Sequence, residues 1–233
     1  MEDAGSVIPI PVPLEPAGNH QQGAAGRGQR VRVFDALAEL CAEKGYPAVT
    51  VSDIVARAHI SRTTFYELFR DKEGCFLAAY DAVLARFLGN VISACLRPGL
   101  SWPEQVRIGL ETILSFGAAE PLFTRMCLLD VLSAGPAGRE RYRSGLRVLA
   151  SFVDSGRAQA EDGDHVPPGL ATSLVGGVAL VIRDEIRAGR TNDLPRLLPD
   201  LLYSLLVPYV GQDRALAEAR ASDALSTAAV SRG

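Results

Sequence analysis

"TVSDIVARAHISRTTFYELFRDKE", residues 50–73, holds two helix openings separated by a turn. Thr50-Val51-Ser52-Asp53 has the form of a capping box, in which a hydroxyl and a carboxylate three positions later satisfy exposed backbone N–H groups reciprocally. Behind it Ile54, Val55 and Ala58 give a short inner face. His59-Ile60-Ser61 forms a tight turn, with Ser61 as the cap of a second short helix over roughly 62–69. Asp71 then opens a long helix. Ser61-Arg62-Thr63-Thr64 at the head of the second short helix has no use in a core, so these side chains are expected to face something outside.

Outward from this stretch the helix signals continue. Upstream, Val33, Leu37, Leu40 and Cys41 share one helical face, and Lys44-Gly45-Tyr46-Pro47 supplies a glycine stop followed by a proline. Downstream, Phe76, Tyr80, Val83, Leu84, Phe87, Val91 and Cys95 recur at three- and four-residue steps until Arg97-Pro98-Gly99. Ser101-Trp102-Pro103-Glu104 is a second capping box, whose helix stops near Glu120-Pro121. Further helices are expected over 122–134 and 138–160, and from Pro167-Pro168 to Gly189. The last runs over 194–210, with Pro199 as a candidate start of its regular part. No strand alternation survives, so the expected fold is all-α with about nine helices. The organisation expected is an arm without packed structure over 1–29, a three-helix domain over 30–75 and a helical domain over 76–211. The Ala- and Ser-rich segment 212–233 is expected to be a flexible tail, with a frayed helix as the alternative.

Composition narrows the function. A chain of 233 residues with 48% apolar residues can bury a sizeable core. LATSLVGGVALVI (170–182), the longest apolar run, falls short of a membrane span and leads into charge. No basic, then apolar, leader opens the sequence, so the cytoplasm is the default location and no membrane role is expected. The four cysteines and three histidines are scattered, with no C-x-x-C pair. No metal or cofactor is therefore expected, and the thiols read as packing groups, with redox sensing the alternative. P-loop, G-x-S-x-G and H-E-x-x-H motifs are missing, so an enzyme is not expected. A net charge of −3 argues against nonspecific nucleic-acid binding and says little against specific binding through a local patch.

Two short helices joined by a tight turn, the second led by hydroxyls and an arginine, have the form of a helix-turn-helix. Such a recognition helix enters the major groove by its N-terminal end. There Arg62 reaches guanine edges or phosphate, and Thr63 and Thr64 reach phosphate, base edges or a thymine methyl. Backbone N–H groups at helix starts are ready phosphate sites. The run "EKGYPAVTVSDIVARAHISRTTFYELFRDKEGCFLAAYD" (43–81) resembles the DNA-binding segment of the TetR/AcrR family of bacterial regulators. The matching features are Gly45-Tyr46, Thr50, Ile54, Ala58, Ile60-Ser61, Phe65-Tyr66, Phe69 and Lys72-Glu73 at fixed spacing. The resemblance implies that Thr50 and Ser52 lie near the phosphate backbone and that Ser61, Arg62, Thr63 and Thr64 lie in or beside the groove. It also implies that Tyr66 and Lys72 hold phosphates. Two residues depart from the pattern: His59 stands for the usual turn glycine, and Leu68 for a polar or aromatic phosphate contact. Arg27, Arg30 and Arg32 end the N-terminal arm, which either follows DNA or merely solubilises the chain.

The resemblance also implies a homodimer and a ligand cavity. Leu174, Val178 and Ile182 lie on one apolar stripe, and Leu201 and Leu205 complete the expected four-helix contact, although intramolecular core must claim some of this apolar surface. For the effector, Trp102, Phe116, Phe123, Met126, Cys127, Phe152 and Arg183 are the candidates, with plain core as the alternative for each aromatic. The function so implied is a ligand-responsive regulator, a repressor released from double-stranded operator DNA by a small apolar effector. The alternative is a helical small-molecule-binding or interaction protein that binds no operator.

Overall fold

The computed structural model describes residues 24–95, 97–160 and 166–230, and within them the chain is all-α. Most of the arm expected over 1–29 lies outside those residues, but its end does not: α1 spans Ala24–Lys44 and already includes Arg27. Val33, Leu37 and Cys41 bury one face of α1 completely. Gly45, at φ 76°, ends it and leads into a 3₁₀ turn, Tyr46–Ala48.

Helix α2 (Val51–Arg57) opens as its sequence requires, with Thr50 Oγ1 accepting the Asp53 N–H and Asp53 accepting the Thr50 N–H. Asp53 also takes Lys44 Nζ at 2.7 Å, and that contact leads the hydrogen bonds that hold its carboxyl well below the usual range. At the far end, Ile60 N–H bonds Val55 O and His59 N–H bonds Ala56 O. This is a Schellman ending, and it places His59 at φ 52°, where a glycine is usual. Helix α3 (Arg62–Leu68) starts from Ser61, whose hydroxyl accepts the Thr64 N–H, and is anchored by fully buried Phe65. Phe69 stacks on both Phe65 and Phe34, which ties α3 to α1.

Asp71 caps α4 (Lys72–Cys95) through the Gly74 N–H. This helix, 24 residues with mean hydropathy 1.5 over its most apolar window, has the length and composition of a membrane span. Its apolar face is instead a shared core wall. Phe76, Ala79 and Tyr80 belong to the head's cluster, and the helix continues along α5. Helices α5 (Trp102–Ala119), α6 (Pro121–Leu128), α7 (Gly135–Asp154), α8 (Leu170–Arg187) and α9 (Leu198–Val210) form the second body around Leu110, Leu114, Leu194, Leu202 and Leu206. The helices expected over 122–134 and 138–160 each finish as 3₁₀ turns, at 130–133 and 155–159. The regular part of the helix expected from 194 begins at Leu198, because Pro195 lies in a preceding 3₁₀ segment.

A correction concerns 212–233: residues Gln212–Val230 form α10, packed along α9. Ala215 and Ala219 are buried there, and such small side chains let the two helices approach without the bulky stripe that marks a helix in sequence.

Candidate functional site

The outer face of α2 and α3 carries Ser52, Ser61, Arg62, Thr63 and Tyr66, all exposed, with Tyr66 56% accessible. Tyr66 is not part of the core; its ring leans edge-on against Phe65 at 5.5 Å. Arg62 donates to the Ser52 hydroxyl, so one guanidinium spans the start of both short helices. Thr50, Ser61 and Thr64 have their hydroxyls engaged in capping, with Ser61 and Thr64 oxygens 2.9 Å apart. Arg57 is committed elsewhere, paired with Glu39 and Glu43 at 2.9 Å on the opposite side of α2.

Lys72, expected at a phosphate, and Arg30, expected at the end of the arm, both make contacts within the chain. Lys72 turns its ammonium onto the carbonyls of Val49 at 2.8 Å and Tyr46 at 3.1 Å, above the Tyr46 ring. It therefore ties the start of α4 to the turn after α1, giving a charged donor to the Val49 carbonyl and a second donor to the Tyr46 carbonyl, which already accepts the Val49 N–H. Arg30 lies on helix α1 with its guanidinium 4.9 Å from the Phe69 centroid and 5.6 Å from that of Phe34. Arg27 is exposed one turn earlier.

A cavity of about 140 Å³ lies between α4, α5, α6, α7 and α8. Of the expected effector residues, Phe116, Phe123 and Cys127 line it. Met126 does not: it is fully buried on the face of α6 that joins the head's core. Phe152 lines a smaller neighbouring void of about 60 Å³. Trp102 packs on Tyr209 at 5.1 Å and against Gly156, far along α5. Arg183 is also outside the lining. The sequence did not single out Thr124 or Gly145, which the cavity uses. Burial pushes the Cys41, Cys75 and Cys127 thiols up to about 12 and Cys95 to about 11, so all four are neutral. Among the described residues, no group of three or more His, Cys, Asp and Glu side chains is placed so that it could hold a metal ion.

Residues 33–79 match the family model of the bacterial regulatory proteins of the tetR family, a stretch running from the buried face of α1 into α4. Over this stretch the chain is similar to the TetR family. It is similar to the HTH-type transcriptional regulator EthR of Mycolicibacterium smegmatis, 23% identical over 82% of this chain and 88% of that one. It is also similar to the transcriptional regulator AcuR of Cereibacter sphaeroides, 28% identical over 84% and 90%. The fold matches the fatty acid degradation regulator FadR from Bacillus halodurans with a TM-score of 0.68, at 20% identity over 76% of this chain and 94% of that one. FadR from Bacillus subtilis, solved in complex with stearoyl-CoA, gives 0.66 at 19% identity over 75% and 96%.

Most residues expected at a dimer contact face the inside of this chain. Ile182, Leu201 and Leu205 are buried within this chain's own second core, and Val178 lines the cavity. Leu174 is partly buried against the same core. The apolar side chains that α8 leaves exposed are Leu180, 51% accessible, and Val181, 38%. Gly177 lies on the same surface with open space where a Cβ would stand.

Proposed function

We propose that this protein is a homodimeric regulator in the cytoplasm that binds double-stranded operator DNA through α3 and is released from it by a small effector held in the cavity. The observation that carries the reading is the path of α4. Its first residue, Lys72, ties it to the head, and two turns later Tyr80 begins its contribution to the cavity wall. Helix α6 supports the same link, with Phe123 and Cys127 toward the cavity and Met126 in the head's core. A ligand that favours one placement of these helices shifts the population of DNA-competent heads.

The reading assigns Arg62, Thr63 and Tyr66 to the groove and its flanking phosphates, Ser52 to the backbone beside them and Arg27 to an outer phosphate. Lys72 and Arg30 act by holding the head together. The dimer contact is assigned to the face of α8 that bears Gly177, Leu180 and Val181. Binding as a pair is what gives a small head a specific site. Selection from random duplex DNA tests the proposal. A two-fold-symmetric enriched site is expected. Absence of enrichment at low salt, with and without cell extract as a source of effector, favours the helical binding protein without operator.

A further inference from the structure

We infer that the cavity takes an uncharged, ring-sized ligand with one polar group, and that the Tyr80 hydroxyl reads that group. The inference rests on the effector-site reading above and deepens it to a ligand class. Size comes first. The volume of about 140 Å³ is close to that of an apolar protein cavity of roughly 150 Å³ that admits benzene. A single six-membered ring with a short substituent fits this space, and a long acyl chain does not.

The lining sets the charge. Among the described residues, no Asp, Glu, Lys, Arg or His contributes to it. The nearby Asp81–Arg141 ion pair, at 2.8 Å, is closed on itself outside the lining. A carboxylate entering this space loses its hydration and gains no cation from the lining, and Arg86, which lies over the Phe116 and Phe123 rings, is paired with Glu120 at 3.3 Å. Phe87 and Phe116, with centroids 5.4 Å apart, provide an aromatic wall suited to a ring.

Four lining residues bear polar side-chain atoms: Tyr80, Thr124, Cys127 and Tyr142. The Thr124 hydroxyl donates to Gly117 O, and the half-buried Cys127 thiol is a weak donor. Tyr80 is only 3% exposed to the outside. It makes no hydrogen bond among the described residues. Gly145 on α7 faces it: a Cβ there would stand 3.8 Å from the Tyr80 hydroxyl, with nothing else within 4 Å. The bare glycine thus leaves a buried donor open to the void. Because Tyr80 is on α4, a ligand bonded to it touches the helix whose first residue anchors the head.

The test is calorimetric titration of the full chain with acetophenone, ethylbenzene, benzoate and dodecan-2-one. Acetophenone is expected to bind about five- to tenfold more tightly than ethylbenzene, as one hydrogen bond provides, with benzoate and dodecan-2-one bound weakly or not at all. Tyr80→Phe is expected to abolish that preference and leave ethylbenzene binding intact. Gly145→Leu, which fills the void, is expected to remove binding of every probe, and Leu146→Trp does the same should the first variant not fold. Equal binding of acetophenone and ethylbenzene, or an unaltered preference in Tyr80→Phe, overturns the role of Tyr80 while the effector site stands. Tighter benzoate or dodecan-2-one overturns the ligand class. Probe binding that survives both filling variants shows that the cavity is not the site, and the effector-site reading falls with it. Failure of every probe to bind overturns the ring-sized ligand.

Discussion

The Asp130 carboxylate accepts the backbone N–H of Tyr46 at 3.1 Å, joining positions 84 residues apart. One end lies in the 3₁₀ turn after α6, the other in the turn that leads to α2. Tyr46 is also where Lys72 anchors α4 and where Phe76 packs, at 4.7 Å between ring centroids. The bond is therefore a second tie between the second body and the head, independent of α4. Its other oxygen is buried 3.7 Å from Arg125 Nε without a hydrogen bond.

Asp130→Ala leaves a buried N–H without a partner and is expected to cost about 1–3 kcal/mol. Asp130→Asn keeps an acceptor and is expected to cost less. Burial raises the Asp130 pKa above its ordinary 3.8, against the opposing effects of the Tyr46 N–H and Arg125. The folded chain thus holds this proton more tightly than the unfolded one, so the group's destabilising contribution grows as pH rises from 3.8 through the folded value. Chemical denaturation of wild type and Asp130→Asn at pH 4 and pH 7 checks this: the variant's stability relative to wild type is expected to be higher at the upper pH.

Lys72→Met separates anchoring from phosphate binding. Loss of charged hydrogen bonds to the Val49 and Tyr46 carbonyls is expected to destabilise the fold by about 1.5–3 kcal/mol. The salt dependence of DNA binding is expected to stay unchanged. A slope reduced by about 1 would instead assign Lys72 to a phosphate.

His59→Gly relieves a side chain held at φ 52°. A left-handed residue costs roughly 1–2 kcal/mol, and glycine's greater freedom when unfolded returns part of that. A net gain of up to about 1 kcal/mol is expected in thermal denaturation, with His59→Val losing stability.

The head was legible in the sequence because its signals are local. Thr50 with Asp53, Ser61 with Thr64, and Asp71 with Gly74 each act within three residues, and a cap names its partner by spacing. The direction of Lys72 was not legible, since the carbonyls it meets lie 23 and 26 positions back. Nor was the division of α8 and α9. A helical apolar stripe looks alike whether it is buried against its own chain, as Ile182, Leu201 and Leu205 are, or against a partner. Cavity lining was partly legible: aromatics such as Phe116 and Phe123 stood out, but Gly145 contributes by having no side chain.

Gly156 shows the same blindness in the core. A Cβ there would meet the Trp102 ring at 2.2 Å, so the indole occupies the space a side chain needs. Gly156→Ala is expected to lower stability by about 1–3 kcal/mol in urea denaturation through overpacking.

The α8 face offers a further check. Val181→Glu places charge beside exposed Leu180, outside the chain's own core. Sedimentation velocity is expected to show a dimer for wild type and a monomer for the variant, with helical content retained by circular dichroism.

The central claim, that α3 is a DNA-reading surface, is tested most directly by fluorescence anisotropy on the selected duplex across a salt series. Wild type is expected to lose affinity steeply with salt. Arg62→Ala is expected to weaken binding by about 1–3 kcal/mol and relax sequence preference at one position of each half-site. Equal affinity of wild type, Arg62→Ala and Tyr66→Ala at every salt concentration would contradict the account.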